Sequence, residues 1–186
     1  MITIRDETRF DIAEREALLD AAFGAPRFAK TSERLRRGRT PADGLSFIAC
    51  TPAGLIGSVR LWDVSAGPGR SVLLLGPLAV ARHARKHGVG AALMTRALDA
   101  AKHAGHGAVL LVGDATYYDR FGFSARKTGR LWLPGPYERD RLLACELEPG
   151  ALDGARGLIT APVKGESKGT AARVVHNDNA PWRYAA

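Results

Sequence analysis

Apolar residues recur along this chain in short runs whose period changes from one segment to the next. Continuous or alternating apolar runs, bounded by glycine, proline or polar clusters, are typical of strands. Such runs predict strands over residues 2–5, 46–50, 55–64, 72–80, 108–112 and 141–147. Because predicted helices separate several of these strands, we expect a mixed α/β domain.

Helical periodicity is clearest after the fourth predicted strand. Val89, Leu93 and Ala97 are spaced at i, i+4 and i+8, so they share one face of a helix that starts at Gly88 and ends near Gly105. The other predicted helices run from an Asp11 N-cap to Gly24, from a Ser32 cap through basic residues to Gly38, and over residues 116–120.

The predicted strand over residues 72–80 contains Gly76 and Pro77. Proline has no N–H group to donate to a neighbouring strand, so a regular ladder cannot run through this point. We therefore expect a bend or a bulge here. The two strands before it form a predicted hairpin, because the turn-rich segment 51–54 joins them.

Strand and helix signals weaken beyond Asp153. We therefore divide the chain into a domain over residues 1–152 and a C-terminal extension over residues 153–186. Residues 165–170 have the composition of a linker, whereas Ile159 and Val163 could add contacts to the domain. The extension could also dock through Trp182, and the pattern leaves docked and loose arrangements open.

Composition places the chain among globular proteins, since 46% of its 186 residues are hydrophobic and 25% are charged. No apolar run approaches the roughly 20 residues that span a bilayer, and the N-terminus lacks the apolar segment of a secretory signal. We expect a cytoplasmic protein without a membrane partner. The two cysteines, Cys50 and Cys145, lack metal-ligand spacing, so we expect no metal site.

The net charge is +8 and the sequence pI is about 10.0. This balance suits a protein that binds nucleic acid, and it equally suits one that binds a polyanionic cofactor. Basic residues are densest over residues 27–39, where Glu33 is the single acid. Because no known nucleic-acid-binding pattern accompanies this run, we interpret it as a solvated face and expect no nucleic-acid partner. A basic nucleic-acid-associated protein is the alternative.

A phosphate-binding element is predicted directly after the 72–80 strand, at the loop formed by residues 85–90. A helix N-terminus presents unpaired N–H groups and the positive end of the helix dipole. Glycines let a phosphate approach these amides, and Arg85 and Lys86 add positive charge. The loop fits neither the Walker pattern nor the dinucleotide fingerprint. A solvated basic turn at a helix start is the alternative.

Two sequence blocks lie one predicted helix and one predicted strand apart. Residues 85–90 read Arg-x-x-Gly-x-Gly, and residues 118–123 read Tyr-x-x-x-Gly-Phe. Together they resemble the GNAT superfamily of N-acetyltransferases, whose motif A reads Arg/Gln-x-x-Gly-x-Gly/Ala and whose later segment reads Tyr-x-x-x-Gly-Phe. Residues 75–80 and 113–118 further resemble the YhbS-type bacterial subgroup.

The resemblance implies a curved mixed sheet of about seven strands with helices on both faces. It also implies a V-shaped opening between residues 72–80 and 108–112, where acetyl-CoA is bound as co-substrate. Pantetheine would run along the main chain of residues 78–80, and the pyrophosphate would lie on the amides of residues 87–90. The implied cofactor-binding residues are Leu78, Ala79, Val80, Arg85, Lys86, His87, Gly88, Val89 and Gly90.

By the same resemblance, Tyr118 is the catalytic residue. A neutral amine attacks the thioester, a main-chain N–H near Val80 stabilises the charge on the carbonyl oxygen, and the tyrosine protonates the leaving thiolate. A phenol has a pKa of about 10, so it is protonated at neutral pH and can act as a general acid. Tyr117, one residue away, is the rival.

The residue that accepts the proton of the amine stays open. Glu33, Asp63, His83 and Glu138 all lie in segments that could border the cleft. Many family members carry an asparagine about two helical turns before the tyrosine. This chain has Asp114 close before Tyr118 instead, and we expect Asp114 to cap a short helix.

We therefore expect an enzyme that transfers acetyl from acetyl-CoA to a primary amine of a small molecule. The alternative is a CoA-binding module that senses or regulates without turnover. The acceptor stays open among aminoglycosides, polyamines, amino acids and protein termini. The oligomeric state also stays open, with a homodimer as one form.

Overall fold

A mixed sheet forms the centre of the protein in a computed structural model that describes residues 1–162 and the backbone of residues 182–183. Its strands are β1 (Thr3–Asp6), β2 (Ser46–Thr51), β3 (Gly54–Ala66), β4 (Ser71–Leu75), β5 (Ala79–Val80), β6 (Ala108–Val112), β7 (Leu131–Trp132), β8 (Leu142–Glu146), β9 (Gly157–Thr160) and β10 (Trp182–Arg183). The α-helices are α1 (Ile12–Phe23), α2 (Thr31–Arg34), α3 (Val89–His103) and α4 (Ala115–Tyr118). The predicted mixed α/β class is confirmed.

The main path through the sheet has the strand order β10-β1-β2-β3-β4-β6-β8. Strands β5 and β9 pair with β3, and β7 pairs with β9. The β4–β6 and β7–β9 pairs are parallel, whereas the other pairs are antiparallel. The parallel step from β4 to β6 needs a crossover, and α3 supplies it. The helix therefore begins at one end of the parallel pair.

Apolar side chains cover both faces of the central strands, because successive side chains of a strand point to opposite faces. Leu73 of β4 and Val109 of β6 pack in the cluster that contains α3. Leu74 and Leu110, one residue further along, pack in a second cluster with Trp62 on the other face. Apolar packing thus fixes β4 and β6 from both faces of the sheet.

The predicted apolar stripe of α3 is confirmed, since Val89, Leu93 and Ala97 are all buried. The helix packs closely on β3 at Gly57. A Cβ on Gly57 would lie 2.9 Å from Cδ1 of Leu93 and 3.0 Å from Cγ1 of Val89. Glycine at this position therefore allows the helix to approach the sheet.

The predicted strand over residues 72–80 is divided into β4 and β5 at Gly76 and Pro77. The predicted interruption at this point is confirmed. Gly76 has a φ of 129°, which favours glycine, and its peptide bond to Pro77 is cis. The Gly76 N–H donates to Arg60 O at 2.7 Å, and Trp62 Nε1 donates to Gly76 O at 2.6 Å. Both bonds hold the interruption against β3.

The second predicted helix differs from the structure. Helix α2 is short, its N-cap is Lys30, and hydrogen-bonded turns rather than helix continue towards Gly38. The prediction that Ser32 caps this helix is wrong, because Ser32 lies inside it. The Ser32 hydroxyl instead accepts a hydrogen bond from Arg36 Nη2 at 2.7 Å.

The sheet continues into the segment that was predicted as a C-terminal extension. Strand β9 pairs with β3 through Ser65 and Ala66, and Ile159 is fully buried. Strand β10 pairs with β1. Val163, the 165–170 linker and the side chain of Trp182 lie outside the residues that the structure describes.

Asp11 stands at the start of α1, as predicted, but its carboxylate does not cap that helix. It accepts hydrogen bonds from Nη1 and Nη2 of Arg5, each at 2.8 Å, and from the N–H and the hydroxyl of Thr8, each at 2.7 Å. These bonds favour the charged form, so the Arg5 guanidinium holds the pKa of the Asp11 carboxyl well below its usual range.

We expect the substitution Asp11→Asn to lower the free energy of unfolding by about 2 kcal/mol at pH 7, because charge-assisted hydrogen bonds are lost. A carboxyl with a depressed folded-state pKa contributes stability above its unfolded pKa, about 3.9, and loses it as the pH falls further. Urea unfolding of both proteins at pH 7 and at pH 3 measures this effect. The stability difference should shrink at pH 3, and an equal difference at both pH values would contradict the account.

Candidate active site

The sheet opens between β5 and β6. Strands β4 and β6 pair through Leu73 with Val109 and through Leu74 with Leu110, and beyond this point β5 turns onto β3. A cavity of about 640 Å³ lies at the opening, with residues 75–78 on one side and residues 111–114 on the other. Such a volume suits a small-molecule site. An opening thus lies between the two strands where the family resemblance implies one.

The main chain of β5 offers hydrogen-bonding groups to this opening. The Ala81 N–H donates to Ile56 O of β3 at 2.8 Å. Because N–H groups of an extended strand point alternately to its two sides, the Val80 N–H points away from β3. The Val80 carbonyl accepts a hydrogen bond from Arg85 Nε at 3.2 Å. An arginine of the predicted phosphate loop is therefore tied to the open edge of the strand.

The other predicted pantetheine-binding residues lie beside Val80. Leu78 is half-buried and lines the cavity. Ala79 is buried and pairs with Ser58 of β3. The structure thus brings the predicted strand segment to the opening, with Ala79 anchoring it to the sheet.

The loop before α3 has the geometry of an anion site. Gly88 is the N-cap of α3 with a φ of 75°, and the Ala92 N–H donates to Gly88 O at 2.9 Å. The N–H groups of residues 89–91 precede this first bond, so they have no partner within the helix. A Cβ on Gly88 would meet nothing within 4 Å, so the space in front of it is open. A phosphate-sized anion fits there.

Charged side chains surround this helix start. Arg85, Lys86 and His87 are exposed. Lys86 has a φ of 68° and is the single non-glycine residue with a positive φ in the described part of the chain. Such a conformation costs about 1–2 kcal/mol, and strain of this kind is often found at functional loops. Gly90 lies beside Tyr117, whose hydroxyl would be 2.9 Å from a Cβ at position 90.

The Tyr118 ring lies against the turn that follows β6. A Cβ on Gly113 would be 2.2 Å from Cε2 and 2.7 Å from Cδ2 of this ring, so the ring occupies space that only glycine leaves. Tyr117 packs edge-on against Tyr118 with ring centroids 4.9 Å apart, and Phe123 does so at 6.0 Å. Both tyrosines line the cavity.

Helix α4 carries both tyrosines to this position. Asp114 is its N-cap, and Oδ1 of Asp114 accepts a hydrogen bond from the Thr116 N–H at 3.0 Å. The predicted capping role of Asp114 is therefore confirmed. The capped turn joins the end of β6 to the tyrosines within a few residues.

Burial controls the acidity of the two phenols. Burial raises the pKa of Tyr118 to about 12, and the neighbouring Tyr117 adds to this rise. Burial also raises the pKa of Tyr117. Both hydroxyls are therefore protonated at neutral pH and can donate a hydrogen bond into the cavity.

The structure places two of the four candidate bases in the lining of the cavity. Glu33 and Glu138 line the cavity, whereas Asp63 and His83 are not among its lining residues in the described chain. Each of the two lining acids lies near an arginine. Glu33 Oε2 is 3.6 Å from Nε of Arg36, and Glu138 makes a similar contact.

The interpretation of residues 27–39 as a solvated face is wrong in part. Arg36 is only 8% exposed and lines the cavity. Arg27 forms ion pairs with Glu16 at 2.5 Å and with Asp20 at 2.8 Å. A run of arginines has no period that marks one member as buried, so its pattern does not reveal which guanidinium lines the cavity.

The described residues meet the requirements neither of a metal site nor of a membrane-spanning helix. In residues 1–162, no three His, Cys, Asp or Glu side chains come together as ligands of a metal ion. No helix in the same part of the chain combines the length and the apolar character that a membrane crossing requires.

Comparison with known proteins gives a consistent picture. A family model described as an acetyltransferase (GNAT) domain matches residues 42–125, which include the β5 edge, the loop before α3 and both tyrosines. The N-acetyltransferase YhbS of Escherichia coli K12 is 30% identical over 161 residues, which cover 84% of this chain and 93% of that protein.

Two solved structures with similar folds contain CoA or acetyl-CoA. A crystal structure of Escherichia coli YhbS in complex with CoA has a TM-score of 0.74 and 29% identity, covering 87% of this chain and 89% of that one. A GNAT acetyltransferase from Brucella melitensis in complex with acetyl-CoA has a TM-score of 0.59 and 25% identity, covering 82% and 99%.

Proposed function

Because this chain belongs to the GNAT acetyltransferase family, we propose that it transfers the acetyl group of acetyl-CoA to a primary amine of a small molecule. One observation carries the proposal. The open edge of β5, the start of α3 and the tyrosines of α4 are neighbours, because a Cβ on Gly90 would lie 3.6 Å from Cγ2 of Val80 and 2.9 Å from the Tyr117 hydroxyl. The CoA and acetyl-CoA complexes of the two similar proteins support acetyl-CoA as the donor.

The donor would be held by main-chain groups. The amides of residues 87–90 would bind the pyrophosphate, because the dipole and the free N–H groups of α3 favour an anion there. Arg85 and Lys86 add charge beside it. Pantetheine would run along residues 78–80, where the strand edge of β5 is open.

The acetyl group would then lie between Val80 and Tyr118. The Val80 N–H points away from β3 and would stabilise negative charge on the carbonyl oxygen as the amine attacks. The Tyr118 hydroxyl would supply the hydrogen that the departing sulfur accepts as the C–S bond breaks. The nitrogen loses a proton when it becomes an amide, and a base or water would pass this proton back to the Tyr118 phenolate.

Two carboxylates stand where such a base would act. Glu33 and Glu138 both line the cavity. Either one could accept the proton of the amine directly or through a water molecule. The kinetic consequences of Glu33→Gln and Glu138→Gln separate them, since loss of the base should lower the rate where the carboxylate is ionised and remove its contribution to the fall in rate at low pH.

Release of free thiol tests the proposed function. Acetyl-CoA is incubated with a panel of primary amines, thiol is followed with a chromogenic disulfide, and acetyl-CoA binding is measured separately by calorimetry. Acceptor-dependent thiol release is the expected result. Binding of acetyl-CoA without acceptor-dependent thiol from any amine would instead identify a CoA-binding module that does not turn over.

We expect Arg85→Gln to raise KM for acetyl-CoA about tenfold, because a charge-assisted bond to the phosphates is lost from a water-exposed loop. Turnover at saturating acetyl-CoA should stay close to that of the parent protein. Steady-state kinetics at low and high salt measure both parameters, and Arg126→Gln, at an exposed position outside the site, is the matched control. An unchanged KM for Arg85→Gln would contradict the phosphate assignment.

We further propose a cytoplasmic protein whose catalytic domain spans residues 1–152, followed by the extension over 153–186. Strand β9 supports the view that the first part of the extension docks on the domain. Limited proteolysis followed by mass spectrometry tests this division. Stable fragments that end before residue 157 and keep activity would show that β9 is dispensable.

A further inference from the structure

The cavity has a second wall, built from two segments far apart in sequence, which we call the acceptor wall (residues 27–36 and 133–141). The Thr31 hydroxyl donates to the carbonyl of Pro136, and Arg34 Nη1 donates to the carbonyl of Pro134 at 2.8 Å. These bonds join the two segments into one wall. The wall faces the side of the cavity where an acceptor must enter if β5 and α3 hold the donor.

Cations are concentrated on this wall. Lys30, Arg36 and Arg141 all line the cavity. Burial and the charges of Arg36 and Arg141 lower the pKa of Lys30, so the three side chains are close enough to repel one another. Like charges gathered in one cavity are unfavourable unless an anion is bound between them.

Within residues 1–162, the acids on the wall form ion pairs with Arg36 and Arg141 and leave Lys30 without a carboxylate partner. Glu33 lies 3.6 Å from Arg36 Nε, which is too long for a hydrogen bond. Glu138 pairs with Arg141 at 3.5 Å, and both of these side chains are exposed. In the described part of the chain, no carboxylate lies within ion-pair distance of Lys30.

The Arg36 guanidinium is positioned to bind a ligand. Its bonds to Ser32 use Nε, at 3.1 Å from the carbonyl, and Nη2, at 2.7 Å from the hydroxyl. Its third nitrogen, Nη1, lies 3.6 Å from where a Cβ on Gly76 would stand, so it borders the cavity between α2 and β5. A buried guanidinium fixed in this way loses little side-chain entropy when it binds an oxyanion.

The phosphates of the coenzyme do not account for these cations. The loop at residues 85–90 already presents the open helix start, and none of its residues lines this cavity. The acceptor wall is a second basic surface, separate from that loop. We therefore expect the anion that binds this surface to be a group of the acceptor.

We infer that the acceptor carries an oxyanion, a carboxylate or a phosphate, in addition to its amine, and that Lys30 and Arg36 bind this group. This inference rests on the proposed function. Amines that bear an acid, such as amino acids and aminoalkyl phosphates, would then be favoured over polyamines and aminoglycosides. Glu33 and Glu138 would remain available to accept the proton of the amine.

Matched pairs of acceptors test this preference. Glycine is compared with glycinamide, and phosphoethanolamine with ethanolamine, with rates expressed per neutral amine because the amine pKa values differ within each pair. We expect kcat/KM to be about tenfold or more higher for the anionic member of at least one pair, which also tells carboxylate from phosphate. Equal values within both pairs would overturn the inference.

The variant Lys30→Gln gives the second test, because Lys30 is exposed and its replacement should not disturb folding. It should lower kcat/KM for the preferred anionic acceptor about tenfold and leave both the neutral acceptors and KM for acetyl-CoA unchanged. Lys102→Gln, at an exposed position on α3, is the matched control and should behave like the parent. An unaltered preference in Lys30→Gln would overturn the inference.

Failure of the inference can be told from failure of the proposed function. Calorimetric titration of phosphoethanolamine and glycine into the protein saturated with CoA measures binding without turnover. Binding that Lys30→Gln weakens, without thiol release, supports the anion site and contradicts the enzyme. Thiol release that is indifferent to acceptor charge supports the enzyme and contradicts the anion site.

Discussion

Replacing Tyr118 by phenylalanine is expected to lower kcat by about 100-fold or more, because the departing thiolate loses its proton donor. Phenylalanine keeps the ring that packs beside Gly113 and Phe123. Folding and KM for acetyl-CoA should therefore remain close to those of the parent protein. Steady-state kinetics with the best acceptor of the panel, together with calorimetric binding of CoA, measures the two effects separately.

Tyr117→Phe is the matched control for this substitution. It removes a hydroxyl from the adjacent ring, which lines the same cavity. We expect at most a few-fold loss of kcat from it, since its hydroxyl lies beside Gly90 at the start of α3. If Tyr117→Phe caused the large loss and Tyr118→Phe the small one, the roles of the two tyrosines would be reversed.

The pH dependence gives a further check on Tyr118. Because burial raises its pKa to about 12, the phenol stays protonated through the range in which a free tyrosine ionises. Ionisation of Tyr118 should not produce an alkaline fall in rate near pH 10. A fall there that disappears in Tyr118→Phe would contradict the raised pKa.

The second large effect is expected from Gly113→Ala. The new methyl group would lie 2.2 Å from Cε2 of Tyr118, so the ring must leave its place. Overpacking of this kind costs about 1–3 kcal/mol of stability. We expect kcat to fall about as far as in Tyr118→Phe, because the displaced hydroxyl no longer reaches the sulfur. Kinetics and thermal unfolding together measure the change.

Gly129→Ala is the control, since a Cβ at Gly129 would meet nothing within 4 Å. The double variant Gly113→Ala/Tyr118→Phe decides whether Gly113 acts through Tyr118. If it does, the two losses of kcat should not add, because the second substitution removes a group that is already displaced. Fully additive losses would show that Gly113 supports activity by another route.

The donor half of the site could be predicted because its signals are local. The period of Val89, Leu93 and Ala97 marks one helix face, and the glycines before it mark where the helix starts. A proline inside a strand pattern requires an interruption wherever the chain lies in the fold. Each of these features depends on neighbouring residues and on backbone chemistry, so the sequence contains it directly.

The acceptor half could not be predicted in the same way. Strands β7 and β9 are short, and their pairing joins Leu131 to Gly157 across many intervening residues. The buried Arg36 approaches Gly76 at the interruption between β4 and β5, and this contact joins residues far apart in sequence.

The bonds that join the acceptor wall have a consequence for how such a protein can diverge. Thr31 donates to the carbonyl of Pro136 and Arg34 to that of Pro134, and a carbonyl is present whatever side chain a residue carries. Residues 133–141 can therefore change without breaking the join, while β5 and α3 stay as they are. A library of substitutions confined to this segment is thus a route to acetyltransferases of altered acceptor preference that retain the same coenzyme.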